Sequence, residues 1–267
     1  MTYGIANRLF PQCLSQSDFV QREKGDGPPS ADVEGGHRRH HGDRFTPRAG
    51  TLPTIAPSNL TPAEKYRYYA NLVVKNGGEV DDKHATVLGL RGLAPDGARH
   101  DSNENVGPYN DTFVVLKHDA AGQPEAIELL GQTHSGQKSG PNSGGVAQIQ
   151  PGSYKAEPNG PHHNMPSWHV ETLSGSGEIP CWRDANKNGY IDPAEKQSPT
   201  VATAILFHTG VNTDHGSSIG CQVMRPDVYK DFVQDVGEQN ELYYTLVDAN
   251  RPTPGSRSGG HHHSRHF

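Results

Sequence analysis

Several things that would place a chain at once are scarce in this one. It has three cysteines in 267 residues, Cys13, Cys181 and Cys221. An odd, sparse set gives no disulfide framework, and a single Cys13–Cys181 bridge is the pairing left open. Apolar residues make up only 32% of the chain. No apolar run reaches the length of a membrane-crossing helix, so no membrane span is expected. Positive charge is also short: the formal net charge is −6. With no basic aromatic patch, that argues against a nucleic-acid partner. Met1 to Val20 lacks a basic start followed by a continuous apolar core, so no Sec-type leader is expected. What fills the space is glycine and proline, 31 and 21 residues. That mix predicts a modest core, long loops and disordered tails.

Residues 1–57 carry many charges and few aliphatics and read as a disordered tail. Residues 58–110 read as a small α/β lead-in, 111–250 as the main domain, and 251–267 as a His-rich tail. Seven of the sixteen histidines lie in the two tails, so their abundance says little about the fold. Thr61-Pro62-Ala63-Glu64 is a capping box with proline at the first helical position. Tyr66, Tyr69, Ala70 and Val73 follow at helical spacing, and Asn76-Gly77-Gly78 supplies the stop. Thr86 to Gly92 is a short strand whose Arg91 is a candidate contact for a substrate carboxylate.

From Asp111 the pattern is β. Thr112–Lys117 and Ala126–Gln132 read as a hairpin. Gly145–Ile149, Pro151–Tyr154 and Ser167–Leu173 continue it with Gly/Pro turns, as in a sandwich or a closed β-structure. His134 and His169, near strand ends, are candidates to line a cleft. Arg225–Gly237 reads as a helix with Val228, Tyr229, Phe232, Val233 and Val236 on one face, and Leu242–Asp248 as a last strand. The fold class is therefore mainly β with a few helices, α+β. A monomer is expected.

The densest chemistry lies between His208 and Met224. An apolar run, Ala204 to Phe207, delivers His208. Twelve residues rich in Gly, Ser, Thr, Asn and Asp then lead to Cys221. A thiol needs a base close by to become the nucleophilic thiolate. Gly220 lets the backbone approach a substrate carbonyl, and the Cys221 N–H is placed to hold an oxyanion.

Ser218-Ile219-Gly220-Cys221, after a strand ending in Phe207-His208, resembles the catalytic motif of the L,D-transpeptidase family. That family remodels bacterial peptidoglycan. The resemblance puts Cys221 at the nucleophile position and His208 at the base position. Ser218 and Gly220 match the turn, and Met224 the residue after it. Ile219 stands where the family usually has a second His or an Arg, and Val223 where it has Arg or Asn. The spacer after His208 is also shorter. His215 is the candidate to supply the absent imidazole toward substrate. The resemblance covers roughly residues 110–236 and implies a β-sandwich catalytic domain. It also implies peptidoglycan stem peptides as substrate and a thioacyl-enzyme resolved by an amine or by water. Such a substrate lies in the cell envelope or outside the producing cell. Without a Sec leader, delivery by an injection apparatus, with residues 1–57 as its loading tail, is the expected route.

A second motif is independent of the first. Asp184 to Glu195 meets the key positions of an EF-hand loop. Asp184, Asn186, Asn188, Asp192 and Glu195 supply side-chain oxygens, Tyr190 supplies a carbonyl, and Gly189 permits the bend. Calcium wants six to eight oxygens, and this spacing gathers them. The flanks suit no paired hand, so the loop reads as a structural Ca²⁺ clip between strands. The competing reading of the whole chain is a non-catalytic, calcium-stabilised module that binds cell wall or protein. The order argues against a papain-like protease, because there the Cys precedes its His by a long stretch and opens a helix, whereas here His208 comes first.

Overall fold

In this computed structural model, residues 50–81, 83–137, 144–211, 214–216 and 218–254 are described. In chain order the elements are α1 (Pro62–Lys75), β1 (Thr86–Arg91), β2 (Asp111–His118), β3 (Pro124–Gln132), β4 (Val146–Ile149), β5 (Gly152–His162), β6 (Met165–Thr172) and β7 (Ile179–Asp184). There follow α2 (Pro193–Lys196), β8 (Thr200–Ala202), β9 (Leu206–Thr209), β10 (Gln222–Met224), α3 (Pro226–Val236) and β11 (Leu242–Asp248). The chain is mainly β with three helices.

Eight strands close into a barrel in the order β1-β11-β5-β6-β9-β10-β3-β2. The strands thus form a closed β-structure. Closure comes from β11, which pairs parallel to β1 on one side and antiparallel to β5 on the other. That leaves no open sheet edge in the barrel. A separate three-stranded sheet, β4-β7-β8, lies beside it. Strands β7, β8 and β10 carry little sequence signal. Pro180 interrupts β7, and β8 and β10 are three residues each.

The core divides in two. Phe113, Trp168, Phe207, Met224 and Tyr244 from the barrel strands pack with Tyr229 and Phe232 of α3 and with Ile149, Ile179 and Cys181 of the small sheet. The Phe207 ring stacks on Phe232 at 5.6 Å, and Tyr229 Oη donates to the Phe207 carbonyl at 3.0 Å. Truncating Phe207 would cost about 3–5 kcal/mol and loosen the strand that carries His208. The second cluster puts Tyr69, Leu72 and Val73 of α1 over Leu88, Leu90, Val114 and Val247. The expected capping box is present, with Thr61 N–H donating to Glu64 Oε2 at 2.8 Å and Glu64 N–H to Thr61 Oγ1 at 3.3 Å.

Two expected boundaries move. The lead-in is not separate: β1 is buried along its whole length and is a barrel strand. The body of the fold also starts before Ser58. Thr253 N–H donates to the Thr51 carbonyl, Gly50 N–H to the Thr253 carbonyl, and Ala56 N–H to Tyr69 Oη, at 2.8, 3.0 and 2.9 Å. Backbone pairing of this kind leaves no side-chain periodicity to read. Residues 1–49 and 255–267, where the two tails were expected, lie outside the described residues. Cys181 is a free, buried thiol, and Cys13 lies outside the described residues.

Candidate active site

The barrel places His208 and Cys221 on neighbouring parallel strands. In the β9–β10 register Gln222 lies opposite Phe207 and Val223 opposite His208. Side chains alternate along a strand. Phe207 points into the core, so His208 and Val223 share the other face, and Cys221, one step before β10, continues that row. Ordinary strand spacing puts the Cα atoms of His208 and Cys221 about 8 Å apart.

His208 is buried and held in one tautomer. Its Nδ1 donates to the Thr209 carbonyl at 2.7 Å, which leaves the lone pair on Nε2. Burial, reinforced by the neighbouring His162 and His163 and only partly opposed by the Thr209 carbonyl, pushes its pKa down to about 4. The ring is therefore neutral near pH 7 and able to accept a proton. The Cys221 thiol is raised by burial, against hydrogen bonds from the Leu206 backbone and Ser218 that favour the thiolate. The resting pair is thus a neutral thiol and a neutral imidazole. Among the described residues Cys221 Sγ points to the Ala204 carbonyl at 3.7 Å, and no hydrogen bond joins it to His208. Ala204 itself is in the left-handed region, φ 55°, a strained backbone for a residue with a Cβ.

The turn before Cys221 is clamped from three sides. Ser218 Oγ donates to the Cys221 carbonyl at 3.1 Å and accepts from Gly220 N–H at 2.9 Å. Gly220 has φ 147°, and a Cβ there would press on Ala147 at 3.1 Å. Ala147 N–H donates to the Ile219 carbonyl, while Ser135 Oγ and Gly136 N–H donate to the Ser218 carbonyl at 2.7 and 3.0 Å. Gln132 Oε1 accepts from Gly216 N–H at 2.8 Å. Cys221 opens onto a cavity of about 140 Å³ shared with Ala147, Arg183, Ala202 to Ile205, Ile219 and Gly220. A cavity of about 620 Å³ between β5, β6 and α3 contains neither His208 nor Cys221.

Other candidates lie elsewhere. Arg91 is inside the molecule, donating to Thr133 Oγ1, the Ile149 carbonyl and the Thr133 carbonyl at 3.0, 2.8 and 2.6 Å. A guanidinium so committed is structural and does not reach substrate. His134 is fully buried, with Nδ1 at 2.7 Å from the Ser135 carbonyl and Nε2 at 3.9 Å from Asp111. It is a core residue and lines no cleft. His215 is exposed and borders a separate opening with Val106, Pro108 and Asp214. His169, on β6 opposite Leu206, faces Glu171 at 3.4 Å. Three residues that carried no expectation join the site. Arg183 is the cation in the Cys221 cavity. His162 and His163 crowd His208, with ring centroids at 4.5 and 5.9 Å. The available signal was His163-Asn164: both have positive φ, 52° and 63°, in the two-residue turn joining β5 to β6.

The calcium motif forms a closed loop between β7 and α2. Both Asp184 oxygens accept backbone N–H groups, from Asn188 at 3.0 Å and Gly189 at 2.9 Å. Asp192 Oδ2 receives the amides of Asn186 and Asn188 at 2.8 and 3.0 Å, and Glu195 Oε1 and Oε2 accept from Ala185 and Asp192 N–H at 2.7 and 2.9 Å. Gly189 takes φ 93°, as the bend requires. Asn186 Oδ1 and Asn188 Oδ1 accept from the Asn188 and Tyr190 N–H groups at 2.9 and 2.8 Å. The donor types are those calcium prefers, and in this structure the loop satisfies them with its own N–H groups and amides.

No protein-family model, curated protein or solved structure matches the chain.

Proposed function

We propose that this chain is a cysteine-dependent L,D-transpeptidase or L,D-carboxypeptidase acting on peptidoglycan stem peptides. The observation that carries the proposal is the β9–β10 register, with His208 and Cys221 on one face and the His208 lone pair on Nε2. On this proposal the barrel and its flanking sheet are this chain's version of the sandwich that the motif implies. The reaction then follows from the two neutral groups. Nε2 takes the thiol proton as Sγ attacks the carbonyl between the diamino acid and the terminal D-residue. The Cys221 N–H serves the oxyanion, since Gly220 N–H is committed to Ser218 Oγ. His208 returns the proton to the leaving amine, and a thioester remains. An amine acceptor restores a peptide bond; water releases a free carboxylate. Because the thiol is raised, deprotonation accompanies attack and no standing ion pair precedes it. Arg183, which lines the Cys221 cavity and holds the Gly145 and Val201 carbonyls at 3.1 Å each, takes the place of Arg91 as the nearby cation for a stem-peptide carboxylate, and would have to exchange one of those bonds to meet it. His215 keeps its proposed part toward substrate, on the far side of the turn. Calcium would be held by Asp184, Asn186, Asn188, Tyr190, Asp192 and Glu195, and would supply rigidity to β7 and its neighbours. It takes no part in the chemistry.

This substrate implies action in the envelope or outside the producing cell, with delivery through residues 1–57. The test is digestion of purified sacculi with the wild type and Cys221→Ala, followed by mass spectrometry of the muropeptides. New or trimmed stem peptides with the wild type alone support the proposal, and identical profiles end it. One observation favours the non-catalytic, calcium-stabilised binding module: Sγ is hydrogen-bonded to Ala204 and carries a raised pKa. Binding to sacculi retained in Cys221→Ala, with no change in muropeptides, would select that reading.

A further inference from the structure

Among the described residues two groups of His, Cys, Asp or Glu side chains are close enough to share a metal ion: His100 with Asp111 and His134, and His162 with His163 and His208. The first is consumed by internal contacts. The second contains only imidazoles. One ring nitrogen from each of His162, His163 and His208 lies within 4.8 Å of the others. Burial is graded across the set: His208 is buried, His162 half-buried and His163 exposed, so the cluster is open to solvent on one side. The anchoring ring is already oriented. Its Nδ1–H is bonded to the Thr209 carbonyl at 2.7 Å, the outer contact that fixes metal-bound imidazoles. The two other rings come from the β5–β6 turn, where the exposed His163 has room to close the remaining distance.

We propose that His162, His163 and His208 form a binding site for one borderline divalent transition ion of the zinc class, and that the ion silences Cys221. All-imidazole donors suit Zn²⁺, Cu²⁺ or Ni²⁺ and not calcium or magnesium, which prefer oxygen. Zinc needs nitrogen atoms about 2.0–2.1 Å from the ion, so modest ring rotation gathers the three ligands and leaves a fourth position open. The ion takes the Nε2 lone pair of His208. That is the lone pair that accepts the thiol proton, so metal and base function exclude one another. This second half rests on the Cys–His reading proposed above; the site itself does not.

The test compares the full-length wild type with His162→Ala/His163→Ala and with His163→Asn, which suits the left-handed turn and keeps the hairpin. Zn²⁺ is titrated against a chromophoric chelator. Histidines in the terminal segments are common to all three proteins and cancel. The wild type should hold one more tight equivalent than either variant; equal stoichiometry and affinity overturn the site. Iodoacetamide labelling of the Cys221 peptide is then followed with and without Zn²⁺. Labelling should slow at least tenfold in the wild type and change little in the variants. An extra equivalent without slower labelling overturns the silencing and the assignment of His208 as base, while the site stands. Equal slowing in all three proteins means that Zn²⁺ binds the thiol directly, and overturns the silencing as stated.

Discussion

Two histidine clusters in this molecule are built from similar parts and differ in one residue type. His100 and His134 share Asp111, which is fully buried and accepts from Gly92 N–H, Thr133 N–H and Thr133 Oγ1 at 2.7, 2.8 and 2.7 Å. His162, His163 and His208 have no carboxylate among them. At His134 burial outweighs Asp111 and the pKa is lowered; at His100 and His208 the consequences are opposite. Burial pulls His100 down, but Asp111 more than offsets it, and its pKa is raised. Burial at His208 meets no such opposition, and the ring falls to about 4. Where every acceptor is satisfied, the cluster holds the fold: Asp111 ties β1, β2 and the end of β3 together beside Arg91. Where a lone pair is left on a neutral ring, the cluster can do chemistry.

The sharpest way to break the contrast is to remove the chemistry without the fold. Cys221→Ala and His208→Ala should each lower turnover of stem peptides by about 10³-fold or more, since the two act as a unit. Cys221→Ala should keep its melting temperature. Turnover near wild type in either variant would move the nucleophile or base elsewhere. The converse experiment is Asp111→Asn. It removes the carboxylate that faces His100 at 3.1 Å and exerts the largest charge attraction on the buried Arg91, and losing a buried charge partner costs about 3–5 kcal/mol. The check is urea denaturation; a midpoint unchanged from wild type would mean that Asp111 is not structural.

The same contrast shows what the sequence carries and what it does not. Local signals came through: the Thr61–Glu64 box, the α3 face, β11 to the residue, and the Gly189 bend in a calcium-type loop. The placement of His208 on a short strand and of Cys221 just after a glycine turn was legible, because an apolar run precedes the one and Gly220 the other. Closure of the barrel was not, because the β1–β11 contact joins residues far apart in the chain and depends on register alone. For Arg91 the sequence left a substrate contact and a structural pairing both open, and the structure shows the second. Nothing local announces that Thr133 and Ile149 will enclose it. His162 and His163 were passed over for a related reason, since only the barrel brings their turn over β9.

Acid sharpens the comparison further. His208 has a folded pKa below its unfolded value of about 6.5. Between that value and about 4 the unfolded chain binds the extra proton, so stability falls as pH drops through this window. The limit is about 3 kcal/mol for one group. His100 works the other way, because its raised pKa contributes stability at low pH that is lost as pH rises through the folded value. His208→Gln, in buffer freed of transition metals, should flatten the acid loss in melting temperature between pH 6.5 and 4. An unchanged slope would show that His208 does not carry it.

The calcium loop tests the rule from a third side, because its acids are satisfied internally and are still proposed to take a ligand. Calcium at about a hundredfold excess over its Kd should add about 2.7 kcal/mol by mass action. Glu195→Ala should eliminate most of that shift in melting temperature, and Cys221→Ala should keep it in full. If EDTA leaves the wild-type melting temperature unchanged after verified metal removal, the loop is an ordinary turn.

The smallest effect belongs to His169, which combines the two arrangements at the surface. It has a carboxylate partner, Glu171 at 3.4 Å, yet shares the outer face of the barrel with His208. The partly exposed pair is screened by water and contributes less than about 1 kcal/mol. Its place on β6 puts it opposite Leu206, which stands between it and the row of Cys221, so strand spacing sets it roughly 10 Å from the nucleophile. At that range it can touch a bound peptide but not the reacting carbonyl. His169→Ala should therefore leave kcat and the melting temperature near wild type and raise KM by less than about fivefold, the factor that matches about 1 kcal/mol. Steady-state kinetics on a soluble stem peptide separate the two constants. A fall in kcat with KM unchanged would place His169 in the chemistry, and would mean that a histidine paired with a carboxylate can act at this site after all.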